Sequence, residues 1–225
     1  MSRVRELAGG GRAVEVAPER LTRWFDNFAE RNGGIARTVL HYLHVVVTAM
    51  NGTQAWIDLP FERRNGVELH AGLEIGPLVD YALKPRRLGL ILVRKGAHSV
   101  GIAEGPRVVV SRTGRHYVQG RTAAGGQSQQ RFARRREQQG RQALNRAADD
   151  ILDVLGPRLT TLDFVVLGGD RRALEQLAAD RRLASVFAKA SERILDVGEP
   201  RRALLDEAAE RARSVEIQIR DPQPE

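Results

Sequence analysis

One stretch constrains this chain more than any other: Tyr117 to about Arg146, YVQGRTAAGGQSQQRFARRREQQGRQALNR. It opens on the end of a strand, Tyr117-Val118, and passes through Gly120 and Ala123-Ala124-Gly125-Gly126-Gln127, a loop composition. A long helical run follows, with Ser128 placed to cap it. The first half of that run is nearly bare of apolar residues: Arg131, Arg134, Arg135, Arg136, Gln138, Gln139, Arg141 and Gln142 surround Phe132. In the second half Ala143, Leu144, Ala147, Ala148, Ile151, Leu152 and Leu155 recur at three- and four-residue spacing, the pattern of a buried stripe. The spacing predicts one helix whose C-terminal half docks on a core and whose N-terminal half projects. Glu137 is the one acid among those arginines, so they do not form a self-neutralised surface helix. An arginine rod of this kind suits a polyanion, and Arg115 and Arg121 extend the patch.

The same residues carry a resemblance. Gly125-Gly126-Gln127-Ser128, then Arg131-Phe132-Ala133-Arg134, then Arg136, resembles the catalytic loop and helix of eukaryotic and archaeal class I peptide release factors. The Arg-rich chain is also similar to an actinobacterial branch of the Vms-type ribosome-quality-control release factors. The resemblance spans roughly Leu88 to Arg213. It implies a ribosome-dependent peptidyl-tRNA hydrolase, with Gly125, Gly126 and Gln127 as the catalytic group. By resemblance the Gln127 backbone amide would face the reacting ester and its side chain would orient or exclude water. Glutamine has no useful titration, so this is positioning and electrostatics rather than proton transfer. Two glycines let the backbone enter a narrow RNA-walled centre. Sister families carry a looser Gly-to-Gln spacing, which leaves Gln129 as a second candidate. Arg121, Arg131, Arg134, Arg135 and Arg136 are the RNA contacts so implied. The family's codon-reading and GTPase-binding domains have no match here, so release on stalled ribosomes fits better than codon-specific termination. The implied partners are the large ribosomal subunit with its rRNA and peptidyl-tRNA; no cofactor and no metal is called for, and the chain is expected to be a cytoplasmic monomer.

Composition agrees with such partners. Of 225 residues 42% are hydrophobic, enough for a core, and the formal net charge is +8 with pI near 10.8. All but three of the basic residues, Lys84, Lys95 and Lys189, are arginines, which fork onto phosphates and stack on bases better than lysines do. A base-composition bias would also inflate arginine. Cysteine is absent, which removes disulfides, thiolate catalysis and Cys-type zinc sites. The N-terminal MSRVRELAGGGRAVEV has no apolar core for a signal peptide, and no apolar run approaches a membrane span.

Taken in order, residues 1–12 read as a flexible leader and Ala13–Val16 as a short strand. Pro18 starts a helix with Leu21, Trp24, Phe25 and Phe28 on one face. His44–Met50 and Gln54–Leu59 are strands around the hairpin signal Asn51-Gly52, and Val67–Leu69 is a third. From Leu88 the pattern is a meander: Leu88–Arg94, Ala97–Ala103, and Arg107–Ser111, with a turn at Thr113-Gly114. After the long helix come a strand at Leu162–Leu167, a helix bearing Leu174 and Leu177, a strand at Ile194–Val197, a helix from Pro200 to Arg213, and an edge strand at Val215–Ile219. Meander, helix, then β-α-β-α predicts an α/β fold, a mixed β-sheet with flanking helices. The resemblance implies an RNase H-like catalytic domain. The expectation is a single domain over 13–220: an N-terminal α/β elaboration at 13–85, a core at 88–213, and a long projecting helix.

Other groups read as structural. His41, His44, His70, His98 and His116 show no metal spacing backed by a carboxylate. Gly168-Gly169-Asp170 is a plain strand-to-helix turn without a phosphate-loop pattern. Asp149, Asp150 and Asp153 lie on the docked half of the helix, while the strand Leu88–Arg94 has no carboxylate for a two-metal nuclease. Two alternatives to a hydrolase stay open: a non-catalytic RNA- or ribosome-binding module, and an endonuclease acting on the tRNA acceptor end.

Overall fold

Alternating apolar residues build the first half of the chain. Val45, Val47 and Ala49 point one way from β4 (His44–Ala49), and Ala55 and Ile57 point the same way from β5 (Gln54–Asp58). The Asn51-Gly52 turn between them needs its glycine, which sits at φ 88. In α1 (Leu21–Arg31) Leu21, Phe25 and Phe28 fall on one stripe and cover that face, joined by Leu78 and Ala82 of α2 (Gly76–Leu83). Full burial of Phe25 and Leu21 stabilises the fold by roughly 1.5–3 kcal/mol each.

These elements belong to one of two compact units: 1–85 with 213–225, and 86–212. The computed structural model describes residues 4–7, 10–59, 61, 65–94, 96–115 and 127–222; within 127–136 only the side chain of Arg134 is described. Among the described residues no helix is long and apolar enough to cross a membrane.

The first unit is a seven-stranded, wholly antiparallel sheet. Its remaining strands are β1 (Val4–Glu6), β2 (Arg12–Val16), β3 (Ile35–Leu40), β6 (Glu68–Ala71) and β12 (Val215–Arg220), and its order is β1-β2-β12-β5-β4-β3-β6. Three sequence expectations change here. The stretch expected as a loose leader contributes β1, which pairs with β2 and ties Arg5 to Glu216 at 2.8 Å. The strand at 215–220 is interior, hydrogen-bonded to both β2 and β5; the alternation of VEIQIR reveals a buried face but not how many neighbours the backbone has. β3 was not anticipated, because Arg37 and Thr38 blur its pattern. Thr38 is buried yet satisfied, donating to the Gly72 carbonyl at 2.8 Å and accepting from the Glu74 amide at 3.0 Å. The single domain expected over 13–220 differs from the two units found, since β12 completes the first sheet rather than the core at 86–212.

The second unit is a mixed five-stranded sheet. β7 (Arg87–Arg94), β8 (Ala97–Glu104) and β9 (Arg107–Arg115) form an antiparallel meander; β10 (Phe164–Gly169) and β11 (Ala190–Leu195) add in parallel, in the order β11-β10-β7-β8-β9. Central β7 is buried on both faces, which explains its unbroken LGLILV run. One face packs under α3 (Gln127–Leu155), α4 (Arg171–Ala178) and α5 (Ala184–Phe187), through Ile91, Val93, Val100 and Ile102. α6 (Arg202–Arg213) buries Leu204, Leu205, Ala208, Ala209 and Ala212. This strand order with a helical crossover after the meander is the mixed α/β sheet with flanking helices that the sequence predicted. Strand β11 lies at 190–195 rather than 194–197, and β9 continues through Thr113-Gly114 instead of turning there.

Candidate functional site

The continuation of β9 matters because of what Gly114 faces. Gly114 pairs with His98 across the ladder, and a Cβ on it would stand 2.3 Å from His98 Cε1. The missing side chain lets the buried imidazole lie over β9 and reach α3. There His98 Nε2 donates to Asp150 Oδ2 at 2.7 Å. Arg112, also on β9, donates from Nη1 to Asp150 Oδ1 at 3.0 Å and to Asp153 Oδ2 at 2.6 Å. From the other side Arg182 donates to Asp149 at 2.8 Å. Burial pushes the Asp150 carboxyl up, but the hydrogen bonds and charges of His98 and Arg112 outweigh it and hold that carboxyl below its ordinary range. Donating to Asp153 and Asp150 raises the Arg112 guanidinium, and donating to Asp180 and Asp149 raises that of Arg182. Each acid at the base of α3 is thus held by an arginine on another element.

That clamp fixes a long object. The 29 residues of α3 extend about 43 Å at 1.5 Å per residue. Burial starts at Ala143 and runs through Ala147, Ala148, Ile151, Val154 and Leu155. Before Ala143, Arg134, Glu137, Gln138, Arg141 and Gln142 are exposed, and Gly140 has no atom within 4 Å of the place its Cβ would take. About 24 Å of helix therefore separates the docked half from Gln127.

Gln127 is the first residue of α3, one ahead of Ser128, which the sequence placed at the cap. Gln129, Arg131, Arg134, Arg135 and Arg136 follow in its first three turns. Gly125, Gly126 and Arg121 lie outside the described residues, as do the side chains of Gln127, Gln129, Arg131, Arg135 and Arg136. Arg115, at the end of β9, is ion-paired with Glu199. The excess positive charge sits entirely in this unit: residues 86–212 hold 24 Lys and Arg against 15 Asp and Glu, a net of +9, leaving 12 against 13 in the first unit.

His98, Arg112 and Asp150 were not singled out as a group by sequence. The available signal was polarity in an apolar setting: His98-Ser99 interrupts a buried strand, and Asp150 stands beside the apolar stripe of α3.

A sequence profile of the Actinobacteria/chloroflexi VLRF1 release factor family matches residues 86–218. The chain belongs to that family. Peptide chain release factor subunit 1 of Thermococcus sibiricus is 29% identical over 123 residues, covering 54% of this chain and 30% of that protein. The chain thus spans less than a third of that relative. Among solved structures, the archaeal translation termination factor aRF1 has 12% identity and a TM-score of 0.41, covering 81% of this chain and 66% of that one. Dom34 of S. cerevisiae, a translation termination-like factor involved in RNA quality control pathways, has 7% identity and a TM-score of 0.32, covering 91% and 65%. The VLRF1 release factor match contains the whole second unit, with Gln127, the arginines of α3 and the His98–Asp150–Arg112 clamp; residues 1–85 lie outside it.

Proposed function

We propose that this chain is a peptidyl-tRNA hydrolase that frees nascent chains from stalled ribosomes in the cytoplasm. The observation that carries this reading is that Gln127, preceded in sequence by Gly125-Gly126, opens a long helix whose described contacts to its sheet lie at the far end. Such a helix can carry its tip into a confined centre while its base stays fixed. The bond broken is the ester between the peptidyl carbonyl carbon and the ribose oxygen of the tRNA. Water adds to the carbonyl, the sugar oxygen leaves and takes up a proton, and a free peptide carboxylate results. Gly125 and Gly126 allow close backbone approach, the Gln127 amide faces the developing oxyanion, and its side chain orients the water. Arg121, Arg131, Arg134, Arg135 and Arg136 meet the phosphates of rRNA and of the tRNA acceptor end in the large subunit.

An endonuclease would need carboxylates free to hold metal, and those of Asp149, Asp150 and Asp153 are engaged by Arg182, His98 and Arg112. The test is peptide release from stalled ribosome–peptidyl-tRNA complexes. Gln127→Ala lowers the release rate about 10²-fold or more while ribosome binding persists, and the tRNA keeps an intact CCA end. Full release by Gln127→Ala with loss in Gln129→Ala would move the assignment to Gln129. No release by the unmodified chain, with ribosome binding retained, would leave a non-catalytic binding module.

A further inference from the structure

The sheet of the first unit has two unlike faces. Helices α1 and α2 supply their buried residues to one. Cross-strand partners share a face, so the register maps the other. One row on it reads Leu69, Val39, Val46, Trp56, Gln218, Ala13 and Arg5, from β6 to β1. The row on one side of it holds Arg37, Thr48, Gln54 and Arg220. The row on the other side holds His44 opposite Asp58 and Glu216 opposite Glu15.

Across these rows runs a stack of planar groups. The rings of His41 and His44 lie 4.3 Å apart at 30°, those of His44 and Trp56 5.3 Å apart at 25°, and the Arg220 guanidinium sits 4.8 Å from the centre of Trp56. Hydrogen bonds fix the order. Trp56 Nε1 donates to Gln54 at 2.9 Å, and Arg220 Nη2 to Gln218 at 3.2 Å. Tyr42, 54% exposed, tips the hairpin next to His41. Charge is sorted as well: Arg37 and Arg220 share one row and are in no ion pair among the described residues, whereas the acids Asp58, Glu216 and Glu15 share the opposite row.

The geometry points to a binding site for an unpaired RNA strand on this face, with bases stacking on the His41–His44–Trp56–Arg220 column and phosphates following Arg37 and Arg220. Bases present flat π surfaces that extend such a column at either end, and a sheet with helices behind it is a rigid platform for them. The ordered column is preorganised, so little side-chain freedom is lost on binding. The fixed amides of Gln54 and Gln218 flank the rings, where base edges would fall. The physics differs from that of α3. The unit as a whole has no excess positive charge, so stacking dominates and only about two phosphates are neutralised, giving a slope of log K against log salt near −1.4. The site shares no residue with the Gln127 helix and does not rest on the hydrolase reading.

The test is fluorescence anisotropy of a short labelled unpaired RNA with the full chain at about 0.5 M salt, where phosphate binding by the arginine helix is suppressed. Binding persists, and His41→Ala, Arg220→Ala and Trp56→Ala each weaken it roughly fivefold or more, with Trp56→Phe retaining most of it. In a Trp24→Phe background the remaining tryptophan, Trp56, is quenched by the RNA. A duplex of the same sequence does not bind at this salt, and Gln127→Ala binds as the unmodified chain does. Circular dichroism checks each variant, and if Trp56→Ala fails to fold, His41→Ala and Arg220→Ala decide. Absence of binding at that salt, equal binding of the duplex, or unchanged affinity in His41→Ala and Arg220→Ala would overturn the proposal. The last result would hand the face to a protein partner at the apolar end of Leu69 and Val39.

Discussion

Gly114 shows how one absent side chain can hold a long element in place. Alanine there forces its Cβ against the His98 ring, so Gly114→Ala costs about 1–3 kcal/mol in thermal or denaturant unfolding. The cost combines non-additively with that of His98→Ala, since both changes act on the same pair of residues. Asp150 gives a pH signature. Its folded carboxyl titrates below the ordinary 3.8, so the stability it contributes is complete above that value and is lost as pH falls through the lower folded value. Asp150→Asn flattens the acid limb of the stability curve, as read by unfolding titrations between about pH 2 and 5.

At the scale of elements, α3 joins two different halves, and Gly140 sits at their junction without a neighbour at its Cβ position. Gly140→Ala therefore strengthens the helix by roughly 0.5–1 kcal/mol without a clash, seen as slower amide exchange in residues 134–143. The clamp sits at one end, so a tilt of about 5° at the base moves the Gln127 end by about 2 Å over the free length. The two-halved helix was legible in sequence because its apolar stripe begins abruptly at Ala143. The meander and β10 were legible because central strands buried on both faces spell continuous apolar runs. β3 was not, since Thr38 replaces an apolar residue with a satisfied hydroxyl. The interior place of β12 was not either, because strand neighbours are a long-range property. The candidate loop was read from motif, whereas the clamp left only the odd polarity of His98 and Asp150: with Arg112 they are distant in sequence and meet only through the register of β8 with β9 and the docking of α3.

For the whole molecule, charge separates the two units. The second carries all the excess, so the proposed function predicts that ribosome binding is steeply salt-dependent through it. Replacing Arg134, Arg135 and Arg136 by Gln makes the slope of log K against log salt shallower by about 0.7–0.9 for each phosphate no longer neutralised, measured by ribosome cosedimentation across a salt series. The strand order of the first sheet has a different consequence, in time. β12 lies between β2 and β5, with Ile217 beside Val14 and Ile57, yet all of residues 86–212 separate it from them along the chain. Loop-closure entropy makes such a distant pairing a late event. As the chain emerges during synthesis, the second unit has every strand it needs by residue 212, while β2 and β5 still lack the strand that fills the gap between them. The unit that begins first along the polypeptide is the one that finishes last.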